Sequence, residues 1–211
     1  MSPEPEHTHR LVPAEDGSGV TLLTLHGTGA NEDDLVPLGK ELLPGAAILS
    51  PRGKVLENGM PRFFRRLAEG VFDEEDLVAR THELAAFVES AVEEYGLDPA
   101  KIVAVGYSNG ANIAASLLLL HPGLLRAAVL FRSMVPFELE TTPDLAGTPV
   151  LMAAATGDQI IPPDNAERLA GLLKEARAEV SLKWKQAGHA LTYEEVEEAR
   201  AWLSEVITDL S

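Results

Sequence analysis

A serine with a glycine two residues before it and another two residues after it is the first feature of this sequence suited to chemistry. Ser108 lies in the pentapeptide Gly106-Tyr107-Ser108-Asn109-Gly110, a G-x-S-x-G pattern. An apolar run at 102–105 precedes it and a helical run follows, which is the strand–turn–helix context of a nucleophile elbow. We therefore predict that Ser108 is a nucleophile. The alternative is an ordinary glycine-flanked turn, because the pentapeptide alone also occurs by chance.

A serine hydroxyl is a weak nucleophile unless a general base takes its proton. Where the nucleophile sits on such an elbow, the partners follow in the order Ser, Asp, His. His121 and His189 are the two histidines after Ser108. His121 ends the helical run after the elbow, which is typical of a charge partner for a helix C-terminus. His189 lies between an apolar run and the last helical run, so we predict that it is the base.

The carboxylate that orients the base should lie between the two, at the carboxyl end of a strand. Asp158 follows the apolar run 149–155. Asp144 precedes the same run, at the wrong end, and Asp164 suits the N-terminus of a helix. We therefore predict Asp158 as the acid of a Ser-His-Asp triad.

A glycine-rich loop, Leu25-His26-Gly27-Thr28-Gly29-Ala30-Asn31, follows the first strong apolar run. A tetrahedral intermediate of acyl transfer needs two N–H donors for its oxyanion. We predict that they are the backbone N–H groups of Thr28 and Asn109. The loop lacks the glycine spacing of phosphate-binding motifs. We interpret His26 as a structural residue that holds this loop.

Apolar runs alternate with helical runs along the chain. This alternation predicts an α/β fold, a three-layer α/β/α sandwich with a mostly parallel sheet and little or no cap. We expect strands at 20–25, 46–49, 102–105, 127–131 and 150–154, an edge strand at 180–184 and a further one within 8–14. Helices are expected at 33–43, 73–95, 111–121, 164–178 and 193–209. Without a linker or repeat, residues 7–211 should form one domain after a disordered N-terminus, residues 1–6.

Composition excludes several classes of protein. The formal net charge is −16, which repels nucleic acid and anionic lipid, so neither is an expected partner. There is no cysteine, so disulfides, thiolate metal sites and a cysteine nucleophile are excluded. The histidines show no metal-ligand spacing, and His82 has no partner histidine one turn away, so we expect no metal. The polar N-terminus is unlike a signal peptide, and we expect a cytoplasmic protein.

These motifs together resemble the phospholipase/carboxylesterase family of small α/β-hydrolases, and within it the bacterial carboxylesterases associated with hydroquinone stress. The segments that carry the resemblance span most of the chain: Leu25–Gly29, Ser50–Gly53, Gly106–Gly110, Gly157–Asp158 and Gly188–His189. The resemblance implies an α/β-hydrolase fold, a cofactor-free esterase for short acyl esters, and a homodimer. Many relatives have glutamine where Asn109 stands, but a backbone donor survives that difference.

Several substrate-contacting residues follow from the expected position of two loops. Phe63 and Phe64 lie in a long connection after the second strand, and Met134 lies after the fourth. Together with Ile160, which follows the predicted acid, they are candidates for the acyl pocket; core packing is the alternative for each. The segment 133–148 is short for a helical cap, so we expect an open, shallow site for a small-molecule ester.

Two alternatives to a small-ester esterase stay open. A thioesterase or lysophospholipase would use the same triad, and acyl-chain preference distinguishes it. A non-catalytic binding protein on the same fold would not react with a fluorophosphonate probe.

Overall fold

A twisted seven-stranded sheet lies at the centre of the structure, a computed structural model that describes residues 7–15 and 17–208. The expected disorder at 1–6 and the expected helix end at Asp209 lie outside these residues. In chain order the strands are β1 (His9–Val12), β2 (Thr21–Leu25), β3 (Ala47–Pro51), β4 (Val55–Glu57), β5 (Met60–Arg62), β6 (Arg66–Ala68), β7 (Val71–Phe72), β8 (Ile102–Tyr107), β9 (Ala127–Phe131), β10 (Pro149–Ala155) and β11 (Glu179–Lys185). The helices are α1 (Val36–Leu42), α2 (Glu74–Tyr95), α3 (Asn109–Leu120), α4 (Pro163–Glu175) and α5 (Tyr193–Thr208), with a 3-10 turn at Pro99–Lys101.

The strand order of the sheet is β1-β3-β2-β8-β9-β10-β11. Only β1 runs antiparallel to its neighbour in this sheet; the other pairs are parallel. Along the chain, β3 is added on one side of β2, whereas β8, β9, β10 and β11 are added in that order on its other side. The order therefore reverses between β2 and β8, and ligands of open α/β sheets bind at the carboxyl ends of strands at such a point. The loops after β2 and β8 are those that carry Thr28 and Ser108.

Helices cover both faces of the sheet, which confirms the predicted three-layer α/β/α fold. On one face α2, α3 and α4 pack a large apolar core that includes Leu84, Leu117 and Leu169. On the other face α1 and α5 pack a smaller core that includes Leu42 and Leu203. The five inner strands of the sheet, β3, β2, β8, β9 and β10, appear in the sequence as nearly unbroken apolar runs because both of their faces are buried.

Residues 55–72 form two small antiparallel hairpins, β4–β5 and β6–β7, in place of the plain connection expected from the sequence. The first turns at Asn58-Gly59, where both residues have positive φ, 51° and 80°. An Asn-Gly pair is the strongest short hairpin signal, because a type I′ turn requires two such residues. The strands are only three residues long at most, too short for a recognisable alternation.

The segment between β9 and β10 holds neither helix nor strand, so no helical cap lies there. Helix α1 begins at Val36 rather than at the expected residue 33. Its first turn contains a proline, and the preceding residues form a side-chain-capped turn in which Asn31 N–H donates to Asp34 and Asp33 N–H donates to Asn31. None of the described helices is both long and apolar enough to cross a bilayer.

His7, two residues before the edge strand β1, connects this strand to the loop after β3 and to helix α2. Its Nδ1–H donates to the carbonyl of Arg52 at 3.1 Å, its ring contacts Phe87 at 4.9 Å, and its Nε2 is buried without a partner. Burial lowers the pKa of His7 from 6.5 to about 4. Below pH 6.5 the unfolded chain therefore binds a proton that the folded chain rejects, so folding stability falls as pH drops from 6.5 towards 4.

We predict that His7→Phe, which keeps the ring contact, removes this pH dependence. Between pH 7 and pH 4.5 the wild type should lose about 2 kcal/mol more unfolding free energy than the variant. Urea titrations at both pH values measure the difference, with exposed Tyr193→Phe, which leaves every histidine in place, as the control. Parallel losses in wild type and His7→Phe would contradict the prediction.

Candidate active site

Ser108 sits in a strained turn between β8 and α3. Its φ and ψ are 53° and −114°, outside the regions that side chains other than glycine normally adopt. Such a conformation costs on the order of 1–3 kcal/mol and persists only where the surroundings enforce it. The N–H of Ser108 donates to the Phe131 carbonyl on β9 at 2.8 Å, and its carbonyl accepts from Asn112 N–H at 3.0 Å. Sheet and helix thus fix the turn from both sides.

Two glycines make this turn possible because they have no side chain where α3 and the neighbouring strands come close together. Their backbone conformation is not the reason. A Cβ at Gly110 would lie 1.9 Å from the Leu25 carbonyl oxygen at the end of β2. A Cβ at Gly106 would lie 2.6 Å from the Cα of Ala111. Both distances are far inside van der Waals contact, so any side chain at these positions drives α3 away from the sheet.

The structure brings Ser108, His189 and Asp158 together in one hydrogen-bonded chain. His189 Nε2 lies 3.0 Å from Ser108 Oγ, and His189 Nδ1 lies 2.8 Å from Asp158 Oδ2. Since the carboxylate accepts a hydrogen bond from Nδ1–H, Nε2 is the free acceptor for the serine hydroxyl. The Asp158 side chain is 1% exposed and that of His189 is 22% exposed. The arrangement can therefore move a proton from Ser108 to an imidazole held by a buried carboxylate.

Asp158 is held in turn by the backbone. Its Oδ1 accepts from the N–H groups of Ile160 at 2.8 Å and Ile161 at 3.2 Å. The rejected candidates lie elsewhere: Asp144 is exposed and pairs with Arg177 at 2.9 Å, and Asp164 is in the first turn of α4.

The loop after β2 lies beside the serine and is tied down at several points. His26 Nδ1–H donates to the Gly27 carbonyl at 2.7 Å, and its Nε2 accepts from Gly53 N–H at 2.9 Å. Burial lowers the pKa of His26, consistent with a neutral ring that donates once and accepts once. Gly29 N–H donates to the Pro61 carbonyl on β5 at 2.9 Å. His26 therefore holds this loop, as predicted from the sequence.

Thr28 and Asn109 both line the cleft with Ser108. Asn109 is the first residue of α3, so its N–H has no acceptor one turn earlier in the helix. The Asn109 side chain accepts from Phe63 N–H at 2.8 Å, which ties the connection after β5 to the elbow.

Arg62, 3% exposed, donates to Thr28 Oγ1 at 2.8 Å and pairs with Glu57 at 3.2 Å. The contact of Arg62 with Thr28 was not predicted from the sequence. The sequence shows only an arginine next to two phenylalanines, which does not indicate a buried arginine beside the loop after β2.

A cleft of about 590 Å³ opens over Ser108. Met134 and Ile160 are among the residues that line it. Phe63 and Phe64 are not: they are 2% and 0% exposed and belong to the apolar core on the α2 side. Their expected place in the acyl pocket is therefore corrected to the alternative of core packing. In a strand, alternating polar and apolar residues indicate which side chains face solvent. Two adjacent aromatic residues give no such indication.

Two histidines lie in contact away from the cleft. His82 Nδ1 and His121 Nε2 are 2.9 Å apart, so His82 finds its partner across the α2–α3 interface rather than one helical turn away. His121 thus contacts a second imidazole instead of acting solely as a helix charge partner, and burial lowers its pKa. In residues 7–15 and 17–208, no three His, Asp or Glu side chains gather in a group that could hold a metal ion.

A G-x-S-x-G turn between a strand and a helix at the switch point of a mostly parallel sheet, followed along the chain by Asp158 and His189, is typical of an α/β-hydrolase. The sequence model of the dienelactone hydrolase family matches residues 60–205. The chain belongs to the dienelactone hydrolase family and is a hydrolase of the α/β-hydrolase type.

Individual relatives agree with this assignment. The chain is 50% identical to "Putative hydrolase MhqD" of Bacillus subtilis (strain 168) over 88% of its own length and 93% of the relative's. It matches the crystal structure of a Bacillus cereus carboxylesterase with 50% identity and a TM-score of 0.93, over 95% and 94% of the two chains. A Mesorhizobium loti carboxylesterase matches with 33% identity and a TM-score of 0.90, over 97% of each chain. The resemblance to bacterial carboxylesterases is confirmed.

We predict that Gly110→Ala destroys the site, because its methyl group must displace either α3 or the end of β2. Activity should fall by at least two orders of magnitude, and thermal unfolding should shift downward by several degrees. Gly171→Ala in α4 is the matched control, since a Cβ there meets nothing within 4 Å. The control should retain activity and gain about 0.5–1 kcal/mol of stability. Equal behaviour of the two variants would contradict this account of the elbow.

Proposed function

We propose that this protein is a serine esterase that cleaves small carboxylic esters through a Ser108–His189–Asp158 triad and an acyl-enzyme intermediate. The observation that carries the proposal is the continuous chain of hydrogen bonds from Asp158 through His189 to Ser108, with spacings of 2.8 and 3.0 Å. The 3.0 Å spacing suits proton transfer from Ser108 to His189, and the 2.8 Å spacing suits the hydrogen bond by which Asp158 holds the imidazole.

In the proposed reaction, Ser108 Oγ attacks the ester carbonyl carbon while His189 Nε2 takes the hydroxyl proton. The backbone N–H groups of Thr28 and Asn109 stabilise the oxyanion of the tetrahedral intermediate. His189 returns the proton to the leaving alcohol, which leaves an acyl group on Ser108. A water molecule, deprotonated by the same imidazole, then hydrolyses the acyl-enzyme. Asp158 stabilises the imidazolium at each stage without itself taking the proton.

The lining of the cleft favours short acyl groups over long ones. Its larger apolar side chains are interrupted by charged ones: Leu35, Phe72, Met134, Ile160 and Ile161 against Asp34, Arg62, Arg66 and Glu69. A long acyl chain would have to lie against charged groups that it cannot hydrogen-bond, which is costly. A lysophospholipase or a thioesterase for long acyl chains is therefore the less favoured alternative. The similarity to two bacterial carboxylesterases points in the same direction.

The nucleophile is tested with Ser108→Ala. Hydrolysis of p-nitrophenyl acetate and butyrate should fall by about four orders of magnitude or more, since triad members act as a unit. A fluorophosphonate should label the wild type at Ser108 and leave the variant unlabelled. Ser204→Ala, on the exposed face of α5, is the control and should keep full activity. Labelling at another serine would refute the assignment, and higher kcat/KM on palmitoyl esters or acyl thioesters would favour the alternative.

The acid is tested by comparing Asp158→Asn with Asp144→Asn. An asparagine at 158 keeps the acceptor for Ile160 and Ile161, so the loop should survive. Its NH2 group donates a hydrogen bond to His189 Nδ1 where the carboxylate accepted one, which leaves Nε2 protonated and unable to serve as the base. We expect kcat to fall about three to four orders of magnitude with KM changed only a few-fold. Asp144→Asn should lie within two-fold of wild type; the reverse result would show that the acid is misplaced.

A further inference from the structure

Arg132, the first residue after β9, is buried beneath the loop that carries His189. It is 1% exposed and has a positive φ of 58°, a conformation unusual for a residue other than glycine. Its guanidinium makes five hydrogen bonds. Nε donates to the Gly188 carbonyl at 3.1 Å, and Nη2 donates to the Ala190 carbonyl at 3.0 Å. Nη1 donates to the Ala153 carbonyl on β10 at 3.1 Å, and Nη1 and Nη2 bind the two oxygens of Glu195 at 2.5 and 2.9 Å.

The two loop carbonyls that Arg132 binds belong to the residues on either side of His189. A third tie follows through Glu195, whose Oε2 also accepts from the N–H and the hydroxyl of Thr192, both at 2.9 Å. The backbone that carries the imidazole is therefore fastened before and after His189 to one rigid, planar group. Because proton transfer depends on the position of the base to within a fraction of an ångström, such fastening bears directly on rate.

Arg132 also places a charge beside the triad. Its Nε lies 3.9 Å from Asp158 Oδ2, the oxygen that accepts from His189. The groups that face His189 are Asp158 and Ser108 through hydrogen bonds, Tyr107 through ring contact at 5.5 Å, and the Arg132–Glu195 pair beneath its backbone. Tyr107 adds no charge, since burial raises the pKa of its phenol. The charged groups that contact His189 or the loop that carries it are Asp158, Arg132 and Glu195. Four further charged side chains line the cleft that His189 also lines: Asp34, Arg62, Arg66 and Glu69.

We propose that Arg132, neutralised by Glu195, is a positioning residue that fixes the His189 ring for proton transfer from Ser108. The inference rests on the proposed function of the triad and adds a residue pair to it. Stability alone does not explain the pair, because a buried ion pair is often replaceable by apolar side chains of similar volume without loss of stability. A planar fork that spans two carbonyls and a carboxylate is, by contrast, a property of arginine that neither lysine nor methionine reproduces.

The first test is the double variant Arg132→Met/Glu195→Met, which removes both charges and leaves neither unpaired. We expect kcat on p-nitrophenyl acetate to fall about 100-fold with KM within three-fold, since binding of the ester is untouched. Fluorophosphonate labelling of Ser108 should slow by a similar factor. Circular dichroism and thermal unfolding should report a folded protein. Arg177→Met/Asp144→Met is the matched control, because Arg177 also has a positive φ, 72°, and pairs with a carboxylate, far from the cleft.

The second test keeps the proposal falsifiable if the double variant does not fold. Glu195→Gln retains the size of the side chain and leaves the charge of Arg132 uncompensated, which disfavours the imidazolium. The acidic limb of the kcat/KM profile should therefore move to lower pH by about half a unit, as expected for charges several ångströms apart. Arg132→Lys keeps the charge without the fork, so the limb should stay in place while kcat falls about ten-fold.

The outcomes separate this inference from the proposed function. A wild type labelled at Ser108, together with a folded double variant that keeps kcat within two-fold, would overturn the role of Arg132 alone. An unmoved acidic limb in Glu195→Gln, with wild-type kcat in Arg132→Lys, would do the same. A wild type that is not labelled at Ser108 would overturn the triad and this inference with it.

Discussion

The active site depends on how closely the first turn of α3 approaches the end of β2. Gly110 lies so near the Leu25 carbonyl that no side chain fits between them. This contact sets the distance between the loop after β2 and the turn that carries Ser108. Ser108, two residues before Gly110, has a positive φ, which the hydrogen bond to Phe131 and the packing of α3 together maintain. Strain at Ser108 is therefore offset by a core in which α3 is almost wholly buried.

The ion pairs near the cleft contrast with the large net negative charge of the chain. The chain carries a formal net charge of −16, yet three arginines close to the cleft are paired with glutamates in buried or half-buried sets. Arg132 binds Glu195, and Arg62 and Arg66 share Glu57. Each set also holds a loop: the first holds the backbone around His189, and the second supports Thr28. The residues predicted to react lie on loops, and these ion pairs supply the rigidity that a loop backbone lacks.

The sequence predicted the layers of the fold and the position of Ser108 from local patterns, and it predicted Asp158 and His189 as the partners of Ser108 from their order along the chain. Buried parallel strands appear as apolar runs, and the elbow pattern needs only five consecutive residues. The hairpins at 55–72 were missed because their strands are too short to show a period. Arg132 and Glu195 were missed because they are 63 residues apart and their pairing is visible only after β9 and α5 are placed. Phe63 and Phe64 were assigned to the pocket by loop position, which does not fix the direction of a side chain.

The central claim is that Ser108 becomes acylated during turnover, and trapping that intermediate tests it most directly. Wild-type enzyme is mixed with excess p-nitrophenyl acetate, quenched in acid during the first turnover, digested and analysed by mass spectrometry. The account predicts a burst of p-nitrophenol and a single acetyl group on the peptide that contains Ser108. A burst with acetylation of another residue, or full turnover through a water molecule with Ser108 never modified, would contradict it.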